Sequence, residues 1–133
     1  MKYILIIFGS ILFFASCKSS FTKTNDISGI STSDTLTIKN DSLEYEIIII
    51  EPGFNSWLVT QPPRGYYGQQ FLENQNIFLV AEYNRRVTNP TRFNPNLYLQ
   101  TINYDPKIDY GYEVNYLLYN YFVYFQKEYN QKL

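Results

Sequence analysis

Few residues in this chain are equipped for chemistry, and what is missing narrows them further. Its 133 residues include no histidine and a single cysteine, Cys17. Without imidazole there is no His-based triad, and the commonest transition-metal ligand is gone. Acid–base work would fall to carboxylates, of which Glu51, Glu82, Asp105 and Asp109 are the candidates. Two carboxylates flanking a glycosidic bond can hydrolyse it. Sequence separation does not show these four converging, and capping helices or pairing with Arg85, Arg86 or Arg92 is the commoner use of such acids. The run from Asp105 to Asp109 offers too few oxygens at loop spacing for a calcium loop. The reading is of a non-enzyme, with no catalytic residue, metal or cofactor assigned.

Binding chemistry is better represented. There are 14 Tyr and 10 Phe, and charged residues make up only 17% of the chain, below the ~25% of ordinary domains. Tyrosine joins a large apolar ring to a polar tip, which suits half-buried surfaces and interfaces. Trp57, Arg64, Tyr66 and Tyr67 would make a stacking platform for a sugar or cell-wall fragment. Alternatively, the tyrosines, with Tyr112, Tyr116 and Tyr119 foremost, line a protein interface, where Tyr and Arg are enriched. Packing in the core is the ordinary fate of any one of them. A formal charge of −1 lacks the basic footprint of a nucleic-acid binder.

Cys17 has a different explanation. Lys2 is followed by a mostly apolar run from Tyr3 to Ala15 and then small Ser16, the layout of a secretory signal peptide. The run is shorter than the ~20 residues a membrane-spanning helix needs. Phe14-Ala15-Ser16-Cys17 resembles the lipobox of bacterial lipoproteins, with Phe14 where Leu is usual. That resemblance implies cleavage before Cys17, acylation of its sulfur and membrane attachment without a spanning helix. Stable anchoring takes more than one acyl chain, which a multiply acylated Cys17 would supply. Residues 18–34 are rich in Ser and Thr and read as a flexible tether, spanning roughly 20–25 Å.

The elements that must position the aromatic residues begin near residue 35. Leu36 and Ile38 alternate with polar neighbours, Asn40-Asp41-Ser42 is turn chemistry, and LEYEIIIIE follows. This pattern predicts a β-hairpin whose second strand is buried on both faces. A short helical turn is expected over 54–59 and a connecting helix over 68–87, with a strand at 77–83 as its rival. LYLQTINY, residues 97–104, reads as a third strand. From 111 to 131 the spacing predicts a long helix, with Val114, Leu117, Leu118, Tyr121, Phe122 and Phe125 on one stripe. Tyr112, Tyr116, Tyr119 and Val123 form a second stripe that would await a partner. The expected organisation is a signal peptide (1–16), a lipidated cysteine and tether (17–34), and one small α+β domain (35–133). In that domain a hairpin and a third strand pack against the connecting helix and the long C-terminal helix.

EYEIIIIEPGFNSWL, together with RGYY, EYNRRV and DYGYEVNYLLYNYF, resembles a family of small Bacteroidota lipoproteins of unknown function. The resemblance covers residues 43–130 and implies the lipoprotein address and a single domain, but no activity. Surface-displayed lipoproteins of that phylum often carry acids just after the cysteine. Here the first acid is Asp26, so a periplasm-facing position at the outer membrane is expected. The functional reading is an anchored envelope protein that serves as a protein-interaction or structural module, through an envelope protein partner or self-association. The alternative is a glycan- or peptidoglycan-binding module.

Overall fold

The hairpin forms where alternation predicts it. Strand β1 (Thr35–Asn40) pairs antiparallel with β2 (Tyr45–Ile50), with Leu36 opposite Ile49 and Ile38 opposite Ile47. The computed structural model describes residues 35–133; the segments expected as signal peptide (1–16) and as lipidated cysteine and tether (17–34) lie outside the described residues. Between the strands, the Asn40 side chain accepts the Ser42 N–H at 3.1 Å, and Glu44 takes a left-handed φ of 51° to close the turn.

One face of the hairpin is core and the other is not. Leu36, Ile38 and Ile47 are buried, whereas Ile48 and Ile50 are 52% and 73% exposed. The expectation of a strand buried on both faces is therefore corrected. The sheet among the described residues has two strands, and the long C-terminal helix packs on it, so side chains pointing the other way meet water.

Glu51-Pro52-Gly53 ends β2. Gly53 sits at φ 81°, where a Cβ would also come within 3.0 Å of the Tyr124 hydroxyl. Helix α1 (Phe54–Leu58) follows and buries Phe54. Helix α2 (Gln69–Val87) runs unbroken through 77–83, which settles that segment as helix. Its buried residues Leu72, Asn76, Val80 and Tyr83 recur every three or four positions, a single stripe at helical spacing.

Residues 97–104 form no strand. The physical reason is Asn84. Its side-chain oxygen accepts the Ile102 N–H at 2.8 Å, and its amide donates to the Ile102 carbonyl, also at 2.8 Å. One residue of α2 thus takes both backbone groups of Ile102, and Leu97 and Tyr98 turn on the Asn94 carbonyl at the start of the segment. Tyr45 Oη donates to the Asn103 carbonyl at 2.6 Å, so β2 meets this segment through a side chain.

Helix α3 (Gly111–Glu128) is the centre of the fold. Asp109 accepts the Gly111 N–H at its start. Leu118, Phe122 and Phe125 are fully or almost fully buried, each contributing about 1.5–3 kcal/mol by burial. The helix packs on β1, α1 and α2. Asn115 joins α3 to α2 by accepting from Asn76 Nδ2 at 3.1 Å, and to the segment before α3 by accepting from Tyr104 Oη at 2.8 Å. Two strands and three helices make this an α+β domain with a long C-terminal helix.

Candidate functional site

Six of the seven candidate binding residues converge, and the loop between α1 and α2 brings them together. Pro63 O accepts the Tyr66 N–H at 3.1 Å across Arg64-Gly65, with Gly65 at φ 89°. Glycine at the third position of such a turn allows that φ without strain. The turn lays its residues on the first half of α3. Gly65 N–H donates to Tyr112 Oη at 2.6 Å, and that hydroxyl donates to Tyr67 O at 3.2 Å.

Arg64 grips α3 with one edge and one face of its guanidinium. Nε donates to Glu113 Oε2 at 2.8 Å and Nη2 to Glu113 Oε1, while the guanidinium lies 4.7 Å from the Tyr116 ring centre. The Glu113 hydrogen bonds raise the Arg64 pKa further above its ordinary value. Both partners are about half exposed, so the pair fixes geometry more than it adds stability. Tyr116 Oη donates to Pro62 O at 3.1 Å.

This arrangement corrects the reading of the second α3 stripe as a surface awaiting a partner. Tyr116 is only 2% exposed, and Tyr112 and Tyr119 are half-buried. The loop over 62–67 already covers them. Trp57 is not part of the cluster. Its ring centre lies 5.3 Å from that of Tyr124 and 6.0 Å from that of Phe54, near the other end of α3.

Two phenylalanines that sequence reasoning passed over extend the exposed aromatic surface, Phe71 by contact with the cluster and Phe78 by its place on the same helix face. Phe71 stacks on Tyr67 at 4.8 Å and meets Tyr119 edge-on at 5.9 Å. Phe78, two helical turns further along α2, is on the same side. Tyr66, Phe71 and Phe78 are 67%, 41% and 73% exposed. Their signal was present in the sequence: positions 71 and 78 fall out of phase with the buried stripe of Leu72, Asn76, Val80 and Tyr83.

The carboxylates have individual structural partners. Glu82 holds Arg85 and Arg86, and the Arg85 hydrogen bonds lead in lowering its pKa to about 2. Asp105 accepts the Lys107 N–H, and Asp109 accepts from Gln69 Nε2 as well as from Gly111. Glu51 is buried and accepts from Tyr129 Oη at 2.7 Å. Among the described residues no group of three or more His, Cys, Asp or Glu could hold a metal ion, and no helix is long and apolar enough to cross a membrane.

A family model spanning residues 4–133 matches this chain over nearly its whole length. The chain belongs to DUF6146, a family of unknown function. No curated protein and no solved structure matches it. The DUF6146 match covers every element described above, including the Arg64 turn and both aromatic stripes of α3. The resemblance expected from the sequence is thus established as membership of an uncharacterised family.

Proposed function

We propose that this DUF6146 protein is a lipoprotein of a Bacteroidota cell envelope, anchored through acylated Cys17 and facing the periplasm from the outer membrane. Its domain is a protein-interaction module without enzymatic activity. The observation that supports an interaction role is the exposure of Tyr66, Phe71 and Phe78 beside half-buried Tyr67 and Tyr119. Interface cores are enriched in aromatic residues and depleted of charge, and such anchors dominate binding when a partner covers them. The partner is an envelope protein or a second copy of the chain. A glycan platform fits less well, because Trp57 packs on Tyr124 and the Tyr112 and Tyr116 hydroxyls are turned to backbone groups.

Two experiments test the two parts of this reading. Fatty-acid labelling in cells should mark the wild type and miss Cys17→Ala; an unlabelled wild type refutes the anchor. A photo-crosslinking phenylalanine analogue at 71 or 78 should give one reproducible protein adduct, and at Lys39 on the hairpin it should give none. Equal adducts at all three positions, or none at 71 and 78, would refute the interaction surface. Saturable binding of purified peptidoglycan, lost on Phe71→Ala, would favour the glycan alternative.

A further inference from the structure

A second feature, independent of the aromatic surface, lies along β2. That strand pairs with β1 on one side only, since the sheet among the described residues has two strands. On its other side the irregular segment 96–103 stands off, with Leu97 and Tyr98 in a turn closed on the Asn94 carbonyl and Ile102 held by Asn84. Between them runs a groove of about 600 Å³, with Glu44–Glu51 as one wall and 96–103 as most of the other. Its volume falls within the range of binding clefts.

Unpaired strand edges are usually blunted by lysine, proline, a bulge or a covering element. The 45–50 stretch has no lysine and no proline, and the groove leaves its edge accessible. Large apolar side chains stand around it, with Ile48, Ile50 and Leu99 all exposed. From a rise of about 3.3 Å, a strand spacing of about 4.8 Å and a layer of about 10 Å, one strand residue takes roughly 160 Å³. The groove therefore accommodates about four residues of an extended chain.

Its charge is one-sided. Glu44, Glu46 and Glu51 contribute to the lining, and no Lys or Arg does. Glu51 is only 6% exposed. Tyr129 donates to one of its oxygens, and no cation is paired with it among the described residues. Burial accordingly raises its carboxyl pKa above the ordinary value. Its other oxygen has no donor among the described residues and is not sealed from the groove, so an arriving cation can pair with a carboxylate that has lost most of its water.

We propose that this groove binds an extended basic segment of a partner protein as an added strand on β2, with a Lys or Arg of that segment paired to Glu51. Main-chain hydrogen bonds along the edge would supply affinity, and alternate side-chain positions the choice of sequence. The test is selection from a displayed library of random heptapeptides on the full chain. Enriched peptides should carry Lys or Arg flanked by apolar residues at alternating positions. Their binding should weaken at least tenfold on Glu51→Gln, which keeps the Tyr129 acceptor, and should also weaken when alternate peptide amides are N-methylated. Thr101→Trp, which fills the groove from its exposed wall, should abolish binding while the melting temperature stays at the parent value. Peptides that bind Glu51→Gln as well as the parent, or that lose binding on Phe78→Ala but not on Thr101→Trp, would overturn the proposal. So would a library that yields no enriched sequence.

Discussion

Replacing Tyr116 by serine separates a buried ring from an exposed one. The side chain is almost inaccessible, stacks near Tyr112, lies under Arg64 and donates to Pro62 O. Truncating a buried aromatic costs about 3–5 kcal/mol, a large part of the 5–15 kcal/mol that typically separates folded from unfolded. In a domain of this size each kcal/mol moves the melting temperature by about 4–8 °C, so Tyr116→Ser should melt at least ~12 °C below the parent. Phe78→Ser, at an exposed site, should stay within about 0.5 kcal/mol. Tyr116→Phe isolates the hydroxyl and should cost about 1 kcal/mol through the lost hydrogen bond to Pro62. Circular dichroism melts of the three variants beside the parent make the comparison. If Tyr116→Ser melts with Phe78→Ser, the loop does not cover α3, and the reasoning that moved the open surface from α3 to α2 fails.

Four further outcomes follow from named contacts. Glu82 has its pKa lowered to about 2 from 4.5, so it contributes stability that is present above pH ~4.5 and lost as pH falls through about 2; Glu82→Gln should flatten denaturation midpoints over that window. Glu51 has the opposite shift, so its protonated form favours folding and stability falls as pH rises out of the ordinary carboxylate range. Glu51→Gln should then compare more favourably with the parent at pH 7 than at pH 4 in urea titrations. Asn84→Ala removes both partners of Ile102, and hydrogen exchange should show the Ile102 amide losing its protection while the α3 amides keep theirs. Alanine at Gly65 meets no atom but must hold a positive φ, costing about 1 kcal/mol, and Gly53→Ala should cost visibly more in the same melts because its Cβ also meets the Tyr124 hydroxyl.

Local patterns carried the parts of the fold that local patterns determine. Alternation at Leu36 and Ile38 located the hairpin, and the stripe through Val114, Leu118 and Phe125 located α3. The IIII run looked buried on both faces because composition along a strand does not state how many layers will cover it. Residues 97–104 looked like a strand because their alternation is real. Their pairing was decided by Asn84, distant in sequence and on another element, whose side chain offers the same donor and acceptor as a neighbouring strand. The candidate site followed the same division. Arg64, Tyr66 and Tyr67 came from one stretch and Tyr112, Tyr116 and Tyr119 from another, and both belong to one cluster. Trp57 precedes the first stretch by only a few residues, but α1 carries it away to Tyr124. No sequence rule indicated that the Arg64 turn would fold back over Tyr116, because its contacts with Glu113 and Tyr112 span more than 40 residues.

The burial of α3 also explains where exposed apolar surface ends up. A domain with three helices and two strands has room for one element surrounded by the others, and α3, apolar around most of its circumference, takes that place. The elements around it each have one face toward the core and one face outward. For α2 the outward face carries Phe71 and Phe78, and for β2 it carries Ile48 and Ile50 beside an unpaired edge. Neither set is required by the core, which closes without it. Isolated exposed apolar residues are ordinary, but these two sets are grouped, one with Tyr66 and Tyr67 and the other with a buried carboxylate. They also differ in chemistry. The α2 surface offers ring area with little charge, so it favours a partner that covers it broadly. The β2 groove offers backbone groups and an acid, so it favours a single extended strand that brings a cation. A protein with both can hold two partners at once or one partner at two points, and the Phe78→Ala and Thr101→Trp variants tell these apart by whether the loss of one contact weakens the other.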